Sequence, residues 1–323
     1  MRRKNKRRLI ILLILLCISF ILFFYELVFK DDSAKTYQIS VIAPGKSDES
    51  LMMLKEGTEQ AASELNANIR FIFLSQEQDS QEQIELLKRE SKNNVDAILI
   101  LPIDCEEVTE AIEEARKKVP IIIIQSSLKI NSSIDKITND EYLLGQQLTK
   151  EALDHIGENK KIAIINSSLQ STAIEERYEG CINALEGKSI EYSRYTLRNY
   201  DKGRNYTEIE EMIKREDIGV IICLDIKSSE YIGELRKTLR ERFLDELRVY
   251  GVGNTNKIIS LLEEAMINGT ATQNEFNIGY LAVQNAINNK NKKTKEIKLK
   301  ATVVTNENMY LDENERILFQ FVR

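Results

Sequence analysis

From Tyr37 onward the chain alternates short unbroken apolar runs with longer stretches in which apolar residues recur every three or four positions. Tyr37–Ala43, Ile69–Leu74, Val95–Leu101 and Ile121–Ile124 are runs of the first kind. Such runs mark strands covered on both faces, the usual state of a parallel sheet. Between them Leu51, Leu54, Ala61, Ala62 and Leu65 fall at helical spacing, as do Ile84 and Leu87 within Gln83–Ser91, and Val108, Ile112 and Ala115. The beat then restarts with a helix over Tyr142–Ile156. Strands over Lys161–Ile165, Ser189–Tyr195, Ile218–Leu224, Leu247–Val252 and Thr270–Gln273 follow. They alternate with helices over Ala173–Leu185, Tyr206–Arg215, Ser228–Arg240, Lys257–Met266 and Glu275–Asn288. Two runs of this kind predict an α/β chain of two doubly wound parallel-sheet lobes. No sequence repeat links them beyond the shared rhythm.

The N-terminus follows another pattern. Leu9 to Tyr25 holds no charged residue and is dominated by Leu, Ile and Phe. As a helix at about 1.5 Å per residue it reaches about 26 Å, and with Leu27, Val28 and Phe29 it is long enough to span a bilayer. Arg2, Arg3, Lys4, Lys6, Arg7 and Arg8 precede it, so the positive-inside rule keeps the N-terminus cytoplasmic. The expected organisation is a cytoplasmic basic cap (1–8), a transmembrane signal anchor (9–29), a polar stalk (30–36) and an extracytoplasmic body. A cleaved signal peptide or a lipid tether is the competing reading. The run is long for a signal peptide and ends at Tyr25–Lys30, without small residues. Leu15 and Leu16 stand where a lipoprotein signal places small residues before Cys17.

Charge sharpens this division. The net charge of -6 comes from 45 basic and 51 acidic groups. Removing the six of the cap leaves 39 against 51, so residues 9–323 carry about -12. An acidic body is a poor partner for nucleic acid, whose affinity rests on cations facing phosphates. One histidine, His155, excludes a multi-histidine metal centre, and its place before Gly157 suits a helix end. Cys105, Cys181 and Cys223 match no zinc spacing and read as small buried hydrophobes. Pro44-Gly45-Lys46-Ser47 imitates the end of a phosphate-binding loop, but Ser40 occupies the place of its first glycine. The acidic pairs Glu106/Glu107 and Glu175/Glu176 lie on helices as solvated charge. No catalytic constellation emerges, and no cofactor or metal is expected.

In open α/β sheets ligands bind beyond the carboxyl ends of the strands. The residues there are Ser47, Asp48 and Ser50, Gln125 and Ser126, Asn139 and Asp140, Ser167 and Ser168, Asp225, Asn254 to Asn256, and Gln273 and Asn274. They are small polar donors and acceptors of the kind a hydroxyl-rich solute needs, because an unpaired buried polar atom costs about 1–3 kcal/mol.

Ordered segments give this body a resemblance. NNVDAILILPIDCEEVTEAIEEARKKVPIIII (93–124) resembles the strand, Pro-x-Asp turn, helix and Pro-led strand of the type 1 periplasmic binding proteins, specifically their ribose-binding-like sugar group. ITNDEYLLGQQL (137–148) resembles the first crossing between lobes, and STAIEERYEGCINAL (171–185) the Ala-x-x-Arg-x-x-Gly helix. NYDKG (199–203), LDIKS (224–228), VYGVGNT (249–255) and NGTATQNEFNIGYLAVQNAI (268–287) follow in order, so the resemblance covers about residues 37 to 308. It implies two lobes joined by three crossing segments that close over a ligand. The expected lobes are 37–139 with 275–300, and 140–274 with 301–323. Carried over by position, the ligand contacts are Ser47, Ser50, Gln125, Arg177, Tyr200, Asp225, Asn254 and Gln273. For Arg177 and Asp225 the alternative is a salt bridge across the closed cleft.

The departures bear on the ligand. The first loop carries Ser47 to Leu51 where the sugar group has Asn and two aromatics. Gln125 and Asn254 are amides at usually acidic positions, Ser126 replaces an arginine, and Asp225 replaces an asparagine. These changes speak against ribose itself. The lactose-repressor group shares the fold but begins with a DNA-binding motif, where this chain has its apolar segment. The function expected is a membrane-anchored extracytoplasmic solute-binding protein for a sugar-like ligand, serving an ABC permease. The alternative is a ligand-sensing co-receptor for a membrane histidine kinase. The tail 309–323 is expected to add an edge strand to the second lobe or to meet a partner.

Overall fold

A computed structural model of the chain describes residues 16–20, 35–45, 49–76, 78–126, 128, 130, 133–158, 160–168, 171–198, 202–239, 247–288, 294 and 296–318, with the backbone alone given for 49–50, 202–205 and 316–317. The chain divides into two units, Met1–Thr36 and Tyr37–Arg323. In the first, residues 16–20 are helical. No helix among the described residues is long and apolar enough to cross a membrane. The expected anchor over 9–29 lies mostly outside the described residues.

The second unit holds two six-stranded sheets. The first combines β1 (Tyr37–Ala43), β2 (Ala67–Phe73), β3 (Ala97–Ile100), β4 (Ile121–Ile124), β5 (Asp135–Asn139) and β11 (Glu296–Leu299), in the order β11-β5-β4-β3-β1-β2 and all parallel. The second combines β6 (Lys161–Asn166), β7 (Tyr192–Thr196), β8 (Ile218–Cys223), β9 (Arg248–Val252), β10 (Gly269–Thr272) and β12 (Thr302–Thr305), in the order β12-β10-β9-β8-β6-β7. Only its edge strand β12 runs antiparallel.

Helices cover both faces of each sheet, which is why the strands read as unbroken apolar runs. In the first lobe Val41, Leu99, Ile122 and Ile124 face α1 (Glu49–Leu65) and α9 (Glu275–Asn288). Ile42, Ile98, Ile100 and Ile123 face α2 (Ser80–Glu90) and α3 (Glu106–Ala115). In the second lobe Ile162, Ile164, Val220 and Ile222 face α4 (Glu141–Leu153) and α5 (Thr172–Leu185). Ile165, Ile221 and Val249 face α6 (Lys202–Glu216), α7 (Ile226–Leu239) and α8 (Asn256–Glu263).

Two helix pairs pack backbone to backbone through glycine. A Cβ on Gly57 would lie 1.9 Å from Phe276 O, and one on Gly279 2.2 Å from Leu54 O. A Cβ on Gly145 would lie 2.0 Å from Arg177 O, and one on Gly180 2.0 Å from Tyr142 O. Each lobe therefore joins the helix that follows a crossing to a neighbour at the shortest possible separation.

The tail departs from the edge-strand expectation. That strand is β12, which precedes it, and residues 312–318 form helix α10 (Asp312–Leu318). Met309 and Leu318 are buried in the second core, so the tail completes that lobe. Cys181 and Cys223 are buried as expected, while Cys105 is half-buried. Burial pushes the Cys181 thiol up to about 12 and the Cys223 thiol well above its ordinary value, leaving both inert. His155 lies just past the end of α4, with Nδ1 3.1 Å from Glu151 O.

Candidate functional site

The chain passes between the sheets three times: at Asn139–Asp140, at Gln273–Asn274 and at Lys300–Ala301. Hydrogen bonds tie the crossings together. Asp140 N donates to Leu299 O at 2.8 Å, Asn274 N to Asn139 Oδ1 at 3.4 Å, and Gln273 Nε2 to Glu141 Oε1 at 3.2 Å. Asp140 also caps α4 by accepting from Leu143 N at 3.0 Å, which sets where the helix starts as the chain enters the second lobe.

Arg177 projects from α5 into this junction and is 6% exposed. Its Nε donates to Glu141 Oε2 at 2.7 Å and its Nη1 to Leu224 O at 2.7 Å. Burial alone would lower its pKa. The Glu141 carboxylate, by charge and hydrogen bond, outweighs that and lifts it, and Asp225 and Glu275 add to the effect. Glu141 is 3% exposed, so this is a buried ion pair at the hinge.

Asp225 follows β8 and caps α7: Oδ1 accepts from Ser228 N at 3.0 Å, while Oδ2 accepts from Ser167 N at 2.7 Å. The expected Arg177–Asp225 bridge across the cleft is not what forms. Both residues belong to the second lobe, and Arg177 pairs with Glu141 instead.

Gln125 ends β4 with φ 52, a left-handed backbone that costs a residue with a Cβ about 1–3 kcal/mol unless its surroundings hold it. Its N–H donates to Ile137 O at 3.1 Å. Asn254 and Gln273 are buried at the strand ends of the second lobe. Ser50 lies in the first turn of α1, its side chain outside the described residues, as are Ser47 and Tyr200. Of the eight expected positions, Arg177, Asp225, Asn254 and Gln273 gather on the second-lobe wall and the hinge, and Gln125 stands at a strand end of the first lobe.

Two contacts cross from lobe to lobe. Asn254 Nδ2 lies 3.6 Å from Met53 Sδ in α1. Asp104, in the Pro-x-Asp turn, accepts from Thr172 N at 2.6 Å and from Thr172 Oγ1 at 3.0 Å. Its other oxygen accepts from Ser126 Oγ at 3.2 Å. The first lobe thus supplies the carboxylate at the N-terminus of α5, whose own cap Ser171 makes no side-chain capping bond. Asp104→Ala is expected to open the lobes, since hydrogen bonds to a charged acceptor are each worth about 1.5–3 kcal/mol. X-ray scattering of the full chain in detergent would read this as a larger radius of gyration for the body. An unchanged profile would mean that other contacts hold the lobes together.

Asp104 and Glu141 were not among the expected site residues. Periodicity marks both as polar positions near element starts, but their partners lie 68 and 36 residues away. A cavity of about 330 Å³ lies elsewhere, where β9 and β10 begin, lined among others by His155, Arg248, Tyr250 and Glu307. Among the described residues no group of His, Cys, Asp and Glu could hold a metal ion.

The family model described as "Periplasmic binding protein domain" matches residues 39–294. The ribose import binding protein RbsB of Bacillus subtilis (strain 168) is 22% identical over 78% of this chain and 81% of its own length. A carbohydrate transporter solute binding protein from Agrobacterium radiobacter, solved in complex with D-arabinose, superposes with TM-score 0.78 at 18% identity, covering 88% of this chain and 99% of that one. XylFII in the XylFII-LytSN complex superposes with TM-score 0.72 at 19% identity, covering 84% and 99%. The fold, the three crossings and the match over most of its length agree: this chain belongs to the periplasmic binding protein family, and within it to the type 1, ribose-binding-like group.

Proposed function

We propose that the chain is a membrane-anchored extracytoplasmic solute-binding protein for a sugar or sugar-like ligand. It acts by hinge closure and serves an ABC-type uptake system. The observation that carries this reading is the cleft itself: polar side chains at strand ends of both lobes, over three hydrogen-bonded crossings. Gln125, Arg177, Asp225, Asn254 and Gln273, with Ser47, Ser50 and Tyr200, are its proposed ligand contacts. RbsB is a ribose import protein by name, and the Agrobacterium protein was solved with D-arabinose, which supports a carbohydrate-sized ligand. Closure then shifts an open–closed population by the ligand's differential affinity. The chain has no part in catalysis on this reading. The apolar segment 9–29 and the basic residues before it place the body outside the membrane.

The second reading is a ligand-sensing co-receptor for a membrane histidine kinase. What favours it is XylFII, a neighbour in fold solved in complex with a second protein, LytSN. The proposed anchor suits it too, because a tethered body stays beside a membrane partner.

Full-length chain in detergent, heated with pentoses, hexoses and polyols, is expected to be stabilised by at least one of them, and the chain is expected to fractionate with membranes. A folded chain stabilised by none would end the solute reading. Disrupting the chromosomal copy separates the two destinations. Lost uptake of the stabilising solute supports the permease. Intact uptake with a lost transcriptional response supports sensing.

A further inference from the structure

The hinge-side wall of the cleft carries more negative charge than its one guanidinium neutralises. Glu141, Asp225 and Glu275 all act on Arg177 by charge, and all four side chains are buried. Glu141 lies in the first turn of α4, Asp225 caps α7, and Glu275 lies in the first turn of α9. A helix N-terminus stabilises a nearby carboxylate by about 0.3–1 kcal/mol, well short of the several kcal/mol that burying an ion costs.

A second observation points to an occupant. Asn139 Nδ2 and Ser167 Oγ are buried, on residues 1% and 8% exposed, and neither has a hydrogen-bond partner. Asn139 ends the strand that runs into the first crossing, two positions before Glu141. Ser167 donates its backbone N–H to Asp225. Both atoms therefore belong to the same wall as the carboxylates. An amide nitrogen there needs an oxygen acceptor, which a carboxylate-neutralising cation alone does not supply. No group among the described residues is arranged to hold a metal ion.

We infer that the solute of this cleft is an aminated sugar or polyol, its ammonium group seated against Glu141, Asp225 and Glu275 beside Arg177 and its hydroxyl oxygens meeting Asn139 and Ser167. The substitution pattern agrees: acids are missing at Gln125 and Asn254, and Asp225 is an acid gained on the hinge side. This rests on the solute-binding reading and names its ligand class.

Calorimetry on the full chain in detergent tests it with D-glucosamine and D-galactosamine, their N-acetyl forms, and D-glucose and D-galactose. At least one amine should bind about 10-fold or more tighter than both its neutral counterparts, equivalent to about 1.4 kcal/mol. Glu275→Gln, and separately Asp225→Asn, should reduce that preference severalfold, with circular dichroism confirming the fold of each. Neutral sugars that bind as tightly as the amines would overturn this inference and leave the solute reading standing. A preference that survives both substitutions would place the amine elsewhere and overturn the seat. Binding by none of the six sugars would overturn the amine proposal; whether the solute reading falls with it is decided by the wider pentose, hexose and polyol panel above.

Discussion

Gly145→Ala is expected to destabilise the body by about 1–3 kcal/mol, the cost of overpacking a close contact. The new Cβ would stand 2.0 Å from Arg177 O and 2.8 Å from Arg177 C. Those are backbone atoms of a helix, so no side chain can swing aside. α4 and α5 must separate, and Gly180, whose Cβ position is 2.0 Å from Tyr142 O, holds the same pair together from the other helix. The intrinsic helix preference of alanine over glycine, about 1 kcal/mol, offsets part of the loss. Gly145→Val keeps the clash, gains less propensity and should cost more. The separation also moves Arg177 away from Glu141, because one stands on each helix. Both the melting temperature and the response to ligand should therefore fall. Gly157→Ala is the control, since a Cβ there meets only the flexible Lys160 Cγ at 3.3 Å. Gly145→Ala melting at the parent temperature would show that the helices part at little cost.

These contacts mark what the sequence could and could not convey. The strand runs were legible because burial on both faces leaves an unbroken apolar signature, as in Ile121–Ile124 and Ile218–Cys223. β5, β11 and β12 were not read as strands. β11 alternates exposed and half-buried residues, and all three lie in or beside crossings, where length and polarity resemble loops. The tail's helix escaped notice because its burial rests on scattered residues such as Met309 and Leu318. At the site, Arg177, Asp225, Asn254 and Gln273 could be placed by position within recognisable segments. Their partners could not. Glu141 meets Arg177, and Asp104 meets Thr172, only through the packing of two helices and two lobes. Close helix packing is also why the glycines recur: spacing shows that they are there, and only the fold shows which backbone atom each one faces.

The largest single effect is expected at the hinge ion pair. Arg177→Met removes the guanidinium and leaves Glu141, 3% exposed, with Gln273 Nε2 at 3.2 Å as its remaining side-chain donor. Leu224 O loses its 2.7 Å donor as well. Breaking one side of a buried ion pair typically costs about 3–5 kcal/mol, because the remaining charge stays desolvated without its partner. Replacing both partners with apolar groups of similar volume is often neutral, since the desolvation cost disappears with the attraction. Glu141→Leu combined with Arg177→Met should therefore recover much of the loss, with a coupling of about 2–3 kcal/mol in a double-mutant cycle. Asp225 and Glu275 refine the expectation. Both keep acting by charge in the single variant, and in the double variant they lose the cation that offsets them, so recovery should stop short of the parent. Adding Glu275→Gln to the double variant should then restore a further increment. Denaturant unfolding of the four proteins reads all of this. An Arg177→Met chain within about 1 kcal/mol of the parent would contradict a buried pair whose partner stays charged. A double variant no better than the single one would show that Arg177 serves its backbone contact at Leu224 and the surrounding carboxylates more than it serves Glu141.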